Sequence, residues 1–110
     1  MAKFVKGDVI VVPFPFSDLS QSKRRPALVI APLEGNDAIL CQITSKNTKD
    51  NYAVSVDEVD FESGSLKQAS NVRPNRLFTA DTHIILYRIG IIKKDKLNQV
   101  INKVVSIITG

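Results

Sequence analysis

One cysteine, one histidine, one methionine and no tryptophan occur among the 110 residues, and each scarcity removes a class of chemistry. Cys41, the lone thiol, has no partner for an internal disulfide, and with no second cysteine a thiolate zinc site is excluded. Serine–histidine–aspartate catalysis would have to depend on His83, while H-E-x-x-H, G-x-S-x-G, P-loop and G-x-G-x-x-G patterns are absent. No apolar run approaches the roughly 18 residues that a membrane helix needs. Met1-Ala2-Lys3-Phe4-Val5-Lys6 lacks the apolar stretch of a signal peptide, so no membrane association and a cytoplasmic location are expected. Repeats, low-complexity segments and linker compositions are missing too, and the length suits a single domain over residues 1–110.

What remains is a globular composition. Hydrophobic residues make up 44% and charged residues 24%, which supports one modest core and argues against disorder. Lysine and arginine number 15 against 11 acidic residues, a net charge of +4. The excess is spread along the chain with no basic tail, so a general attraction to polyanions is expected and nothing sharper.

Val9 to Val12, almost all β-branched, predicts a strand buried on both faces, ended by Pro13 and Pro15 because neither can donate to a ladder. A polar loop, Ser17 to Arg25, follows. Pro26 restarts a strand over Ala27 to Ala31, which Pro32 closes. Glu34-Gly35-Asn36-Asp37 is turn chemistry, so Ala38 to Thr44 pairs back as an antiparallel hairpin strand. Tyr52 to Val56 alternates as a half-buried strand, Asp57 to Gly64 reads as an acidic turn, and Ala69 to Thr79 and His83 to Leu86 read as extended. Gly90 ends the strand region. Leu97, Val100, Ile101, Val104, Val105, Ile107 and Ile108 then recur at helical spacing, an apolar stripe opposite Lys96, Asn98, Gln99, Asn102, Lys103 and Ser106. Five or six short strands and one amphipathic helix predict a mainly β fold, a small barrel with the helix packed on it.

The most informative stretch for chemistry is Ser22-Lys23-Arg24-Arg25-Pro26. Pro26 restricts Arg25 to extended geometry, and a fixed fork of guanidinium donors suits a phosphate and the charge that builds on it during displacement. A solvated basic loop end is the competing reading. Gln42-Ile43-Thr44-Ser45 closes the hairpin strand, so Thr44 is expected near Arg25, where a hydroxyl can bond a phosphate oxygen. Threonine is equally an ordinary strand residue. The cluster Asp57, Glu58, Asp60 and Glu62 lacks a regular ligand loop and reads as a solvated turn, His83 as structural, and Cys41 as a small buried hydrophobe.

Several blocks in one order carry a resemblance. They are Gly7-Asp8, Pro13-Phe14-Pro15-Phe16-Ser17-Asp18-Leu19, Lys23-Arg24-Arg25-Pro26-Ala27-Leu28-Val29, Gln42-Ile43-Thr44-Ser45, Ser70-Asn71-Val72-Arg73-Pro74, Leu77-Phe78-Thr79 and Ile89-Gly90. Over nearly its whole length the chain resembles the MazF/PemK-like toxin endoribonucleases of type II toxin–antitoxin pairs, nearest to the PemK-like branch. The resemblance implies a homodimer of SH3-like barrels of the CcdB/PemK type that cuts single-stranded RNA without metal or cofactor, the 2′-hydroxyl attacking the adjacent phosphate. It assigns Arg25 and Thr44 as the catalytic pair. Around such a pair Lys23, Arg24, Ser45 and Lys46 are expected to contact RNA, and Arg73, before a proline, reads either as lining the same groove or as an ordinary surface arginine. It also implies a loop over the site bearing Phe16, Ser17, Asp18 and Ser20. A cognate antitoxin, and operator DNA bound through the antitoxin complex, are the further partners it implies. The alternative is a non-catalytic CcdB-like or DNA-binding barrel that acts on topoisomerase or operator DNA and leaves RNA whole.

Overall fold

In the β-branched run Val9–Val12 every residue is buried, as a strand covered on both faces requires. It lies in a computed structural model that describes residues 4–14, 23–46 and 50–110. Seven strands follow one another as β1 (Asp8–Phe14), β2 (Lys23–Pro32), β3 (Asp37–Thr44), β4 (Val54–Val56), β5 (Phe61–Gly64), β6 (Ser70–Asp81) and β7 (Tyr87–Ile92), and helix α1 (Lys94–Thr109) closes the chain. They form one antiparallel sheet in the order β4-β6-β3-β2-β1-β7-β5. The expected fold class is the observed one, a mainly β small barrel in which the sheet curls into a half-barrel with a C-terminal helix.

The prolines are where expectation and structure part. Pro13 does not end β1: β7 pairs only as far as Val11, so Pro13 has β2 alone beside it, opposite Arg24, and needs no second ladder bond. Nor do Lys23 to Arg25 form a loop; they are the first residues of β2, opposite Phe14 to Val12. Pro26 lies inside β2, opposite Val11 and one residue beyond the Ala27–Gln42 pair where the ladder to β3 ends. The β2–β3 hairpin itself is as expected.

Four further readings change. Within Asp57 to Gly64 a 3-10 turn, Glu58–Asp60, leads into edge strand β5. Part of the expected strand His83 to Leu86 is a 3-10 turn, Thr82–Ile84, capped by the Asp81 carboxylate on the His83 N–H. Gly90 sits inside β7 rather than ending it, because the Gly64 and Gly90 backbones touch: a Cβ on Gly90 would lie 2.3 Å from the Ser63 carbonyl oxygen. On α1, Leu97, Val100 and Val104 are buried and Ile101 packs against them, while Val105 and Ile108 stand in solvent, so the apolar stripe is broader than the face the sheet covers.

Apolar residues on both sides of the sheet make two clusters. Leu28, Cys41, Ile43, Val54, Phe61 and Val72 meet Leu97 and Val100 on the helix side. Ile10, Val12, Ala27, Val29, Ala38 and Leu40 face the other way, covered by Phe4, Phe78, Ala80 and Ile85. Full burial of each such side chain stabilises by about 1.5–3 kcal/mol, so neither face is a free surface. At the start of β1 the buried Asp8 accepts from the Val5 N–H at 2.9 Å and from Arg88 at 3.0 Å, and Arg88 lies 5.5 Å from the Phe4 ring centre. These bonds fix the segment that covers the second cluster.

Candidate functional site

Side chains alternate along a strand, so the two clusters tell which way the polar residues point. Arg25 is the cross-strand partner of Val12 and two residues from Ala27, both of the cluster away from the helix. Thr44 follows Ile43, which faces the helix, and is four residues from Leu40, which does not. Both therefore belong to the face away from α1. The β2–β3 ladder ends at the Ala27–Gln42 pair, so Arg25 lies two residues beyond it on β2 and Thr44 two residues beyond it on β3, at the same end of the two strands.

Each arrives with bonding capacity unspent. Arg25 is half-buried, and its Nε is sealed from water without a hydrogen-bond partner among the described residues. Such a donor costs about 1–3 kcal/mol to leave unmade. The Thr44 Oγ1 accepts the Lys46 N–H at 3.2 Å, which uses a lone pair and leaves the hydroxyl proton for an acceptor elsewhere. Guanidinium and hydroxyl donors are the kind of groups that suit the oxygens of a tetrahedral anion.

The remaining candidates divide. Lys23 alternates onto the Arg25 face, whereas Arg24, opposite Pro13, alternates onto the other; both are exposed. Ser45 and Lys46 are exposed directly after Thr44. Arg73 is on the Thr44 face but already engaged, its Nη2 2.6 Å from the Asp50 carboxylate. Phe16, Ser17, Asp18 and Ser20 lie outside the described residues. His83 pairs with Asp81, opposite Asp37 at the far end of β3, about 24 Å of strand from Thr44 at ~3.4 Å per residue. The acidic turn is occupied with itself, Asp57 and Asp60 making a reciprocal capping box while Lys96 approaches Asp60 at 3.7 Å.

Two residues that the sequence reading gave no role in the site, Asp50 and Asn71, lie beside it. Between the pairs Ile43–Val72 and Cys41–Leu77, β6 has four residues where β3 has one, so Arg73 to Arg76 form a bulge in the ladder. The Cys41 thiol donates to the Arg73 carbonyl at 2.8 Å, satisfying one acceptor in the bulged segment, and burial pushes that thiol up to about 12 despite the bond. Pro74 was the available signal, since an interior strand tolerates proline only at such an irregularity. Asp50 caps the chain ahead of β4: the Tyr52 N–H, then Arg73 and the Ala53 N–H, hold its carboxyl below the usual value against desolvation. Asn71, the partner of Thr44 in the β3–β6 register, donates to the Lys46 carbonyl at 3.2 Å.

A guanidinium and a hydroxyl on one face of a curled sheet can be set beside known proteins. The family model described as PemK-like, MazF-like toxin of type II toxin–antitoxin system matches residues 5–108. The chain belongs to this family. Among solved structures, MazF from Deinococcus radiodurans (Form-I) is similar with a TM-score of 0.78 at 20% identity, covering 100% of each chain. An endoribonuclease in complex with its cognate antitoxin, from a mycobacterial species, is similar with a TM-score of 0.76 at 12% identity, covering 97% of this chain and 96% of that one. The MazE–MazF complex of D. radiodurans (Form-III) gives 0.74 at 18% identity, with 96% of each chain covered. At these identities the likeness concerns the fold. No curated protein matches. For this PemK/MazF-like chain, no helix among the described residues is long and apolar enough to cross a membrane.

Proposed function

We propose that this PemK/MazF-like toxin is a metal-independent endoribonuclease acting on single-stranded RNA through one domain over residues 1–110. The carrying observation is that Arg25 and Thr44 belong to one face, the first with a sealed Nε and the second with a hydroxyl proton, neither given a partner by the described residues. When a ribose 2′-hydroxyl attacks its own 3′-phosphate, negative charge accumulates on the non-bridging oxygens. Arg25 neutralises that charge through fixed donors that need no reorganisation, and Thr44 donates to a second oxygen and holds the phosphate in line. The Arg25 guanidinium serves as an electrostatic group here rather than as a proton donor. Lys23, Lys46 and Ser45 take flanking phosphates beside this pair, and Arg24 takes the strand where it wraps the sheet edge. The chain works in the cytoplasm as a homodimer. Its antitoxin is a protein whose acidic segment occupies the same cationic groove, by the charge complementarity that RNA uses.

Purified protein incubated with single-stranded RNA in EDTA is expected to leave 2′,3′-cyclic phosphate and 5′-hydroxyl ends. A strict requirement for Mg²⁺ would point to another mechanism. RNA left whole, together with binding to operator DNA, would turn the reading to a binding protein.

A further inference from the structure

Gln42 heads the run Gln42-Ile43-Thr44-Ser45, two residues before the candidate hydroxyl. Cys41 and Ile43, on either side of it, both pack in the cluster beneath the helix, so its side chain points the opposite way, to the face of Arg25 and Thr44. Across from it on β2 stands Ala27, a buried methyl that offers no polar partner. On its other side the β3–β6 ladder skips Gln42, since it is there that Arg73 to Arg76 bulge. The half-buried amide makes no hydrogen bond with another described residue, although it has a carbonyl acceptor and two N–H donors. Its polar neighbours on the same face are engaged, Arg73 with Asp50 and Asn71 with the Lys46 carbonyl. Two residues at ~3.4 Å each separate Gln42 from Thr44, and its partner Ala27 is two residues from Arg25.

We propose that Gln42 is a specificity-determining residue whose amide reads an adenine beside the phosphate that Arg25 and Thr44 hold. The inference rests on the endoribonuclease reading for its effect on cleavage and deepens it by naming a base. The chemistry of the amide selects a base over a phosphate. Phosphate oxygens are acceptors only and are repelled by the carbonyl of the amide, whereas Arg25, Thr44, Lys23 and Lys46 supply donors without that conflict. A base edge presents a donor and an acceptor side by side. On adenine the N6 amino group donates to the Gln42 Oε1 and N7 accepts from Nε2, while guanine has two acceptors at that edge, O6 and N7, and leaves Oε1 facing an oxygen. Bases of single-stranded RNA can be splayed out so that such an edge is reached, and the ribose between a base and its phosphate bridges the gap from Gln42 to Thr44. A strand suits the task. Burial of Cys41 and Ile43 pins the backbone on both sides, so the amide is presented from a fixed point.

Gln42→Leu keeps bulk beside Ala27 and removes both hydrogen-bonding groups, and Gln42→Ala repeats the test should leucine disturb the fold, which thermal unfolding reports. Each protein is incubated in EDTA with single-stranded RNA of randomised sequence, and the new ends are sequenced. The parent is expected to favour adenine over guanine at one position next to the cut by about tenfold to a hundredfold in kcat/KM, and the variants to cut both alike. Replacing that adenine by 7-deazaadenine, which lacks the N7 acceptor, is expected to slow the parent and to cost Gln42→Leu nothing further. A preference unchanged in both variants overturns the proposal. So does an equal loss of rate at every site, which would mark a structural role or a contact to ribose. Fluorescence anisotropy with uridine oligonucleotides carrying a single adenine or guanine separates this inference from the reading beneath it. A parent that leaves RNA whole, yet binds the adenine strand more tightly through Gln42, overturns the endoribonuclease reading and leaves this one standing. A parent that cuts RNA without regard to adenine does the reverse.

Discussion

Replacing Arg25 by methionine tests the candidate site against stability and activity together. The sealed Nε has no hydrogen-bond partner among the described residues, a deficit of about 1–3 kcal/mol. Methionine keeps an aliphatic stem of similar length beside Val12 and Ala27 and removes the unmet donor. If the guanidinium is held for an anion that is not yet there, Arg25→Met folds at least as stably as the parent. A gain near 1 kcal/mol would raise the melting temperature by roughly 4 °C or more in a domain of this size. The same change removes a preorganised charge donor from the reacting phosphate, worth about 2.7 kcal/mol or a hundredfold in rate. Urea denaturation of the ligand-free protein and single-turnover cleavage of a short RNA measure the two effects. A variant that loses more than about 1 kcal/mol of stability would show that Arg25 serves the fold. One that cuts RNA at the parental rate would remove it from the chemistry.

Gly90→Ala is expected to unfold the protein or cost several kcal/mol in urea denaturation, since its Cβ would meet the Ser63 carbonyl oxygen at 2.3 Å and the Gly64 Cα at 2.9 Å, both backbone. Leu28→Ala, at a fully buried site of the helix-side cluster, is expected to cost about 2–5 kcal/mol by the same assay. Asp8→Ala removes the buried acceptor of the Val5 N–H and of Arg88 and is expected to cost about 2–4 kcal/mol, with the Phe4 segment becoming the first to exchange its amide hydrogens. Cys41 has its pKa raised on folding, to about 12, so the unfolded thiol ionises first: its contribution is complete below about pH 9 and is lost as pH rises from there toward 12. Cys41→Ser should flatten the alkaline limb of the stability–pH curve, and at pH 8 an alkylating reagent should label the native parent only as fast as it unfolds.

Much of the fold is legible in the chain because it rests on local pattern. Four consecutive β-branched or apolar residues in β1, the Glu34–Asp37 turn between β2 and β3, and the three-and-four spacing of Leu97, Val100 and Val104 each specify an element without help from elsewhere. Proline misled. Pro13 reads as the end of a strand and Pro26 as the start of one, yet each lies within a strand, where one neighbouring ladder has stopped, and where a ladder stops depends on the whole sheet. Edge strand β5 was hidden for a similar reason. Phe61–Gly64 has one buried residue and no alternation, and it is a strand because β7 is beside it.

The candidate site divides along the same line. The sequence alone determined which residues carry charge and hydroxyl, that Arg25 is biased to extended geometry by Pro26, and that β2 and β3 pair. Only the tertiary structure decided which face Arg25 and Thr44 share, which cation is already taken, and that Asn71 holds the Lys46 carbonyl. Hairpin pairing is a short-range consequence of turn chemistry and strand period. The side a residue faces depends instead on which strand face the helix covers, and the Arg73–Asp50 bond on a bulge opposite Cys41, and both are set by contacts between segments far apart in the chain.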